Sequence, residues 1–312
     1  EVAIVTIGRN SAEAFDRFVE RDFMLCPDEE ALLTAVSREF HKVGKKVIVI
    51  LNICSPMEIA SWRDKADAIL ICWMPGQEGG NSVADVLLGK VSPSGHLPTT
   101  FPISYEDVRS AKDFPRNVPE TGYNQSRFNI SKLGKIYDVK NIDYTNYEED
   151  IYVGYRDYAT RKIEVAYPFG YGLTYSQFEM KNMQVKESKD GYKISCEVKN
   201  IGNTPAKQVV QLYSSELNPE VDRPAIELRG YKKTPLLQAG ESIVVEISIK
   251  KSDLMTYNEK AAAWKLTKGD YDLLLGFDSQ RLPLKQKVTI SNEKLIPVST
   301  LMKPASGEIF IK

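Results

Sequence analysis

The chain is poor in histidine and cysteine and carries almost no net charge. Two histidines, His41 and His96, exclude a histidine-rich metal site and disfavour a serine–histidine triad. Four cysteines, Cys26, Cys54, Cys72 and Cys196, form no CxxC pair; three sit in or near apolar segments and read as buried thiols, silent about redox compartment. Forty-one Lys and Arg face 42 Asp and Glu, a formal charge of −1, so no basic field argues for nucleic acid or an anionic membrane. No apolar run approaches the ~20 residues that a membrane helix needs. Methionine is missing from position 1. The chain starts at Glu1 and enters a strand at once, so it reads as a fragment or processed piece, and the lack of a signal peptide says nothing about location.

What is present is enough apolar residue, 42% of 312, for two cores. Up to about residue 102, strands and helices alternate. Val2–Ile7 is a continuous apolar run, as expected for a strand covered on both faces. Pro27 opens a helix with Asp28, Glu29 and Glu30 at its positive end; Leu32, Val36, Phe40 and Val43 make an apolar face, and Gly44 stops it. Lys46–Asn52 is a second buried strand, a short helix is expected around Glu58–Lys65, Ala68–Met74 is a third strand, and a helix runs from about Asn81 to Leu88. This repetition implies a parallel sheet with right-handed crossovers. Three parallel strands leave an apolar edge or face bare, so further strands are expected before Glu1.

From residue 103 to about 170 periodicity fades, and eleven of the sixteen tyrosines lie between Tyr105 and Tyr175. Such a stretch reads as an extended crossing segment held by aromatic packing, with ligand-stacking tyrosines as the alternative. Beyond Phe178 the pattern is all-β. A hairpin signal, KDG, stands at Lys189–Gly191. Residues alternate at Ile194–Val198, Ile243–Ile249 and Tyr271–Phe277, with shorter cores at Val210–Leu212 and Ile226–Leu228 and a last strand at Leu284–Ile290. About seven strands at this spacing suggest an immunoglobulin-like sandwich of the fibronectin type III variety, since no cysteine pair bridges it. The polar tail from Ile296 is expected along the surface. The expected division is a partial α/β sandwich domain over residues 1–125, a Tyr-rich segment over 126–170, and the β-sandwich with its tail over 171–312.

Three clusters carry chemistry or its scaffolding. GRNSAEAFDR (Gly8–Arg17) follows the first strand, where α/β proteins place their sites. Glu13 between two alanines is the candidate catalytic acid; an exposed loop acid would look the same. Phe15 offers a ring face, a stacking wall for a substrate or a plug for the loop. Arg17 can pair with Asp16 and is the second candidate for substrate binding. WMPGQEGGNSVADVLLGKVSPSGHLPTTFP (Trp73–Pro102) has Gly76, Gly79 and Gly80 for a sharp strand-to-helix turn and Glu78 near a helix start. It matches neither a phosphate loop nor GxGxxG, so no nucleotide cofactor is implied. YEEDIYVGYRDY and YPFGYGLTYSQF (Tyr147–Tyr158, Tyr167–Phe178) read as a packed entry into the sandwich.

Together these motifs, continued by VVQLY (Val209–Tyr213), RPAIELRGYKK (Arg223–Lys233) and LQAGES (Leu237–Ser242), resemble the C-terminal half of glycoside hydrolase family 3 enzymes of the β-glucosidase type. The resemblance covers nearly the whole chain except the last fifteen residues or so. It implies a retaining exo-glycosidase built from a (β/α)8 barrel, an α/β sandwich and a fibronectin type III-like domain. The barrel supplies an aspartate nucleophile, and a loop written SGEG in the family supplies the acid/base glutamate. Here that loop reads SAEA and the glutamate is Glu13; two added methyl groups bear on its turn geometry. The implied partners are a β-linked oligosaccharide or aryl β-glucoside and the N-terminal barrel of the same enzyme, with a homodimer left open; no nucleic acid, membrane, metal or cofactor is implied. Alone, the chain is expected to be inactive. Relatives are often exported, so periplasmic or secreted residence is what the resemblance suggests. The alternatives are a β-xylosidase or other exo-β-glycosidase of the family, or a non-catalytic carbohydrate-binding or structural module.

Overall fold

A computed structural model describes residues 1–10, 18–113 and 148–299. The chain divides into two compact units. The first comprises Glu1–Asp85, Thr100–Asp150 and Glu164–Tyr167, and the second Val86–Thr99, Ile151–Ile163 and Pro168–Lys312.

The first unit is built on a parallel sheet of order β1-β2-β3: β1 (Val2–Gly8), β2 (Lys46–Asn52) and β3 (Ala68–Ile71). Gly8 lies opposite Asn52, so the strands' carboxyl ends fall together. The central strand is the apolar heart, with Val47, Val49 and Leu51 fully buried. β1 does not match the expectation of two covered faces. Val5 and Ile7 are buried, but Val2 and Ile4 point outward at 45% and 52% exposure. Helix α1 (Pro27–Lys42) starts on Pro27 and on a capping box in which the Glu29 carboxylate accepts from the Cys26 amide at 3.0 Å. It seats Leu33 against the sheet and ends before Gly44, whose φ of +70° suits glycine.

The helix expected at Glu58–Lys65 is only a 3-10 turn at Arg63–Lys65. Glu58 folds back to accept from the Ser61 amide (2.6 Å) and hydroxyl (2.7 Å), and its carbonyl takes the indole N–H of buried Trp62 at 2.8 Å. The third strand ends at Ile71 and not at Met74, because Trp73 turns the chain with a φ of +54°. Helix α2 (Gly79–Leu87) follows, and a short pair, β4 (Phe101–Pro102) with β5 (Val165–Tyr167), closes the unit. The segment expected to lack elements thus contains β5 and also α3 (Tyr155–Arg161) in the second unit.

The second unit is a β-sandwich. One sheet has the order β10-β7-β6, the other β14-β13-β8-β9. These strands are β6 (Phe178–Glu187), β7 (Gly191–Asn200), β8 (Val209–Glu216), β9 (Glu227–Lys233), β10 (Ser242–Lys250), β13 (Gly269–Gly276) and β14 (Leu284–Ile290). Inward residues of both sheets share one core, among them Ile194, Val198 and Val245 from the first and Val210, Leu212 and Leu273 from the second. The expected KDG hairpin joins β6 to β7. A small third sheet combines β11 (Thr256–Asn258), β12 (Ala263–Leu266) and β15 (Lys294–Pro297), so the tail expected to begin at Ile296 instead opens with strand pairing.

The YPFGYGL motif is a strap in this unit. Gln211 donates to the carbonyls of Gly170 (3.1 Å) and Phe277 (2.7 Å), and accepts from the Tyr213 hydroxyl at 2.6 Å. Gly170 has a φ of +81°, and a β-carbon there would collide with the Gln211 amide. Tyr155 stacks on Phe169 with ring centroids 4.8 Å apart. Here the aromatic packing expected of the Tyr-rich stretch takes the form of named ring contacts.

Candidate active site

The site expected from the sequence lies in the segment that leaves β1. Its three candidate residues, Glu13, Phe15 and Arg17, fall within residues 11–17, outside the described residues. What is described is the frame on either side of them.

The upstream stem is fixed to the sheet. The Arg9 amide donates to the Asn52 carbonyl at 2.9 Å, extending the β1–β2 ladder by one bond. The Cys54 thiol donates to the Asn10 carbonyl at 3.2 Å. The downstream stem is a π-helical turn, Val19–Phe23, with the Phe18 amide donating to the Asp22 carboxylate at 2.7 Å and the Arg21 guanidinium 4.0 Å above the Phe18 ring. Phe23 turns inward; its carbonyl accepts from the Glu58 amide at 2.7 Å, and its ring meets Tyr105 edge-on.

Between the stems sits Arg9, only 8% exposed. Its Nη1 donates to the Gly8 carbonyl and to Glu29 Oε1, both at 2.7 Å. Its Nη2 donates to Glu29 Oε2 at 2.7 Å and to the Met24 carbonyl at 3.0 Å, and Nε donates to the Asp22 carbonyl at 3.1 Å. Burial pushes the Glu29 carboxyl up, but the Arg9 and Cys26 hydrogen bonds and the Arg9 charge outweigh it and hold it below the usual carboxylate value. Sequence reasoning missed this pair. An arginine beside a glycine in a loop reads as solvated, and nothing local announces that two downstream carbonyls will face it.

The second cluster reaches the same carboxyl edge of the sheet. Trp73 lies two residues past β3's end and meets Phe101 edge-on at 6.1 Å. Gly76 has a φ of +72°, Gly79 opens α2, and Glu78 accepts from the Asn81 side chain at 2.7 Å ahead of that helix. The glycines therefore serve the turn, as their spacing suggested. Among the described residues, no group of three or more His, Cys, Asp and Glu side chains could hold a metal ion, and no helix is long and apolar enough to cross a membrane.

Comparison with known proteins is specific. Residues 1–175 match the glycosyl hydrolase family 3 C-terminal domain, and residues 208–279 match the fibronectin type III-like domain. The chain belongs to the glycosyl hydrolase family 3 C-terminal domain family. Beta-glucosidase A of Butyrivibrio fibrisolvens is 33% identical over 323 residues, an alignment covering 88% of this chain and 36% of that protein. An exo-alpha-(1->6)-L-arabinopyranosidase of Bifidobacterium longum is 31% identical, over 90% of this chain and 33% of the relative. Among solved structures, beta-glucosidase 3B from Thermotoga neapolitana in complex with alpha-D-glucose superposes with a TM-score of 0.85 at 40% identity, covering 96% of this chain and 39% of that one. The chain thus spans about a third of the length of the relatives it matches.

Proposed function

We propose that this chain is the C-terminal part of a retaining exo-β-glucosidase and that Glu13 is its acid/base. The attacking aspartate then belongs to a (β/α)8 barrel outside this chain. The observation that carries the reading is the family match over residues 1–175, which includes the GRNSAEAFDR segment, together with relatives named as beta-glucosidases along almost the whole chain.

Retention of configuration needs two carboxyls roughly 5 Å apart. One attacks the anomeric carbon and the other protonates the departing glycosidic oxygen. Glu13 fills the second role: protonated, it gives its proton to the leaving oxygen; ionised, it takes one from the water that opens the glycosyl-enzyme. A substrate-filled, low-polarity cleft raises a carboxyl's pKa toward what the acid step requires. Phe15 is assigned to the wall beside the leaving group, and Arg17 to holding the segment or the sugar. Without the barrel the chain has no nucleophile and hydrolyses nothing.

The test is an aryl β-glucoside assay on the enzyme assembled with its barrel. Glu13→Ala should abolish most hydrolysis of a phenyl glucoside, and azide should restore turnover of a dinitrophenyl glucoside as the β-glucosyl azide. Full activity of that variant removes Glu13 from the mechanism. One relative carries an arabinopyranosidase name, which favours a second reading of specificity: the same machinery acting on another terminal glycoside, to be separated by assaying aryl arabinopyranosides and xylosides beside the glucoside.

A further inference from the structure

We infer that the Arg9–Glu29 ion pair is the positioning device for the acid/base segment, holding both of its stems against the first turn of α1. The inference rests on the reading of Glu13 as the acid/base. Its physical content lies in the bonding of Arg9. A guanidinium has five N–H donors in a rigid planar fork, and all five are used here. Three go to backbone carbonyls: Gly8 before the segment, Asp22 and Met24 after it. The other two hold both oxygens of Glu29, which is itself anchored by the Cys26 amide at the start of α1. The fork therefore ties the entry and the exit of the segment to one rigid helix end.

Stability alone does not call for this arrangement. Replacing a buried ion pair with apolar side chains of similar volume is often neutral or favourable for folding. What the fork adds is geometric definition of two chain stems, and a displacement of about 1 Å in a catalytic group can lower the rate about 100-fold. Lysine cannot substitute, since three donors on one atom cannot reach four separate groups.

The experiment uses the enzyme assembled with its barrel. Glu29→Gln, which keeps the volume, and Arg9→Met are compared with Glu13→Gln on aryl β-glucosides of graded leaving-group ability. A mispositioned acid has a signature that general loosening lacks. In both stem variants kcat/KM for a phenyl glucoside should fall on the order of 100-fold, while that for a dinitrophenyl glucoside, which needs no acid, stays within about threefold. The dinitrophenyl kcat should fall, because the base step is also impaired, and azide should restore it. If Arg9→Met does not fold, Glu29→Gln decides. Equal losses on every leaving group without azide rescue, beside a Glu13→Gln enzyme that shows the full signature, overturn the inference and leave Glu13 in place. A Glu13→Gln enzyme without the signature overturns the reading beneath it.

Discussion

Removing one arginine from the sandwich should cost more than removing that arginine together with its partner. Arg223, from the RPAIELRGYKK motif, is buried with 5% of its side chain exposed, and Glu216 beside it with 4%. Arg223 pairs with Glu216 and, at 2.5 Å, with Glu227, which also takes Arg229 at 2.6 Å. Arg229 in turn donates to the Ser214 hydroxyl at 2.7 Å. Arg156 adds a third guanidinium at the half-exposed rim, 3.8 Å from Glu227, so three cations face two carboxylates. Arg223→Met keeps most of the packing volume but leaves Glu216 charged in a dry site. Breaking a buried pair from one side costs about 3–5 kcal/mol, whereas removing both charges approaches neutrality. At ~2–4 °C per kcal/mol for a unit of this size, the single variant should melt about 10 °C lower. Arg223→Met/Glu216→Gln should recover at least half of that. Thermal melts of the chain, followed by circular dichroism, measure both quantities. A single-variant cost under about 1 kcal/mol, or strictly additive losses in the double variant, would refute the reasoning.

Other outcomes follow from single positions. At Gly191 a β-carbon would lie 1.9 Å from the Ile249 carbonyl oxygen, whereas at Gly240, with a φ of +78°, it would meet nothing within 4 Å; urea unfolding should show Gly191→Ala losing at least about 3 kcal/mol and Gly240→Ala only the left-handed backbone penalty of about 1–2 kcal/mol. Hydrogen bonds from Lys46, the Val47 amide and His41 hold the Asp67 carboxyl well below its usual range. The stability it contributes is present above pH ~4 and is lost as pH falls further, so Asp67→Asn should flatten the acid limb of urea midpoints measured between pH 6 and pH 3. Burial, and then the nearby charges of Lys233 and Arg281, push the His96 imidazole down. The folded chain therefore binds fewer protons than the unfolded one below pH ~6.5, stability declines from there toward the lowered value, and His96→Gln should remove that slope from melts taken between pH 7 and pH 5.

The elements that could be read from sequence are those whose signal is local. The continuous apolar run of β2, the proline and acidic first turn of α1, and the strict alternation of Ile243–Ile249 each state their own geometry, and the structure has strand, helix and strand there. The misreadings share a non-local or side-chain cause. Glu58 and Trp62 stand at helical spacing, yet Glu58 spends its carboxylate on Ser61, and only one turn forms. β3 stops early because Trp73 adopts a conformation that no tryptophan advertises. α3 is seven residues long between Gly154 and Lys162, both at positive φ, too short for a periodic pattern to show. β15 is exposed along its length, so no alternation marks it. The frame around residues 11–17 has no local signal at all: the bonds made by Arg9 reach residues 13, 15 and 20 positions away.

The distribution of thiols gives the chain a built-in reporter. Cys26, Cys54 and Cys72 belong to the parallel-sheet unit and are partly accessible, while Cys196 is sealed in the sandwich, where desolvation pushes its thiol up to about 11. An alkylating reagent applied under native conditions should therefore mark the first three and spare the fourth. Mass spectrometry of the labelled chain then follows the opening of each half separately, with no engineered probe, and the moment at which position 196 gains mass dates the breathing of the sandwich alone.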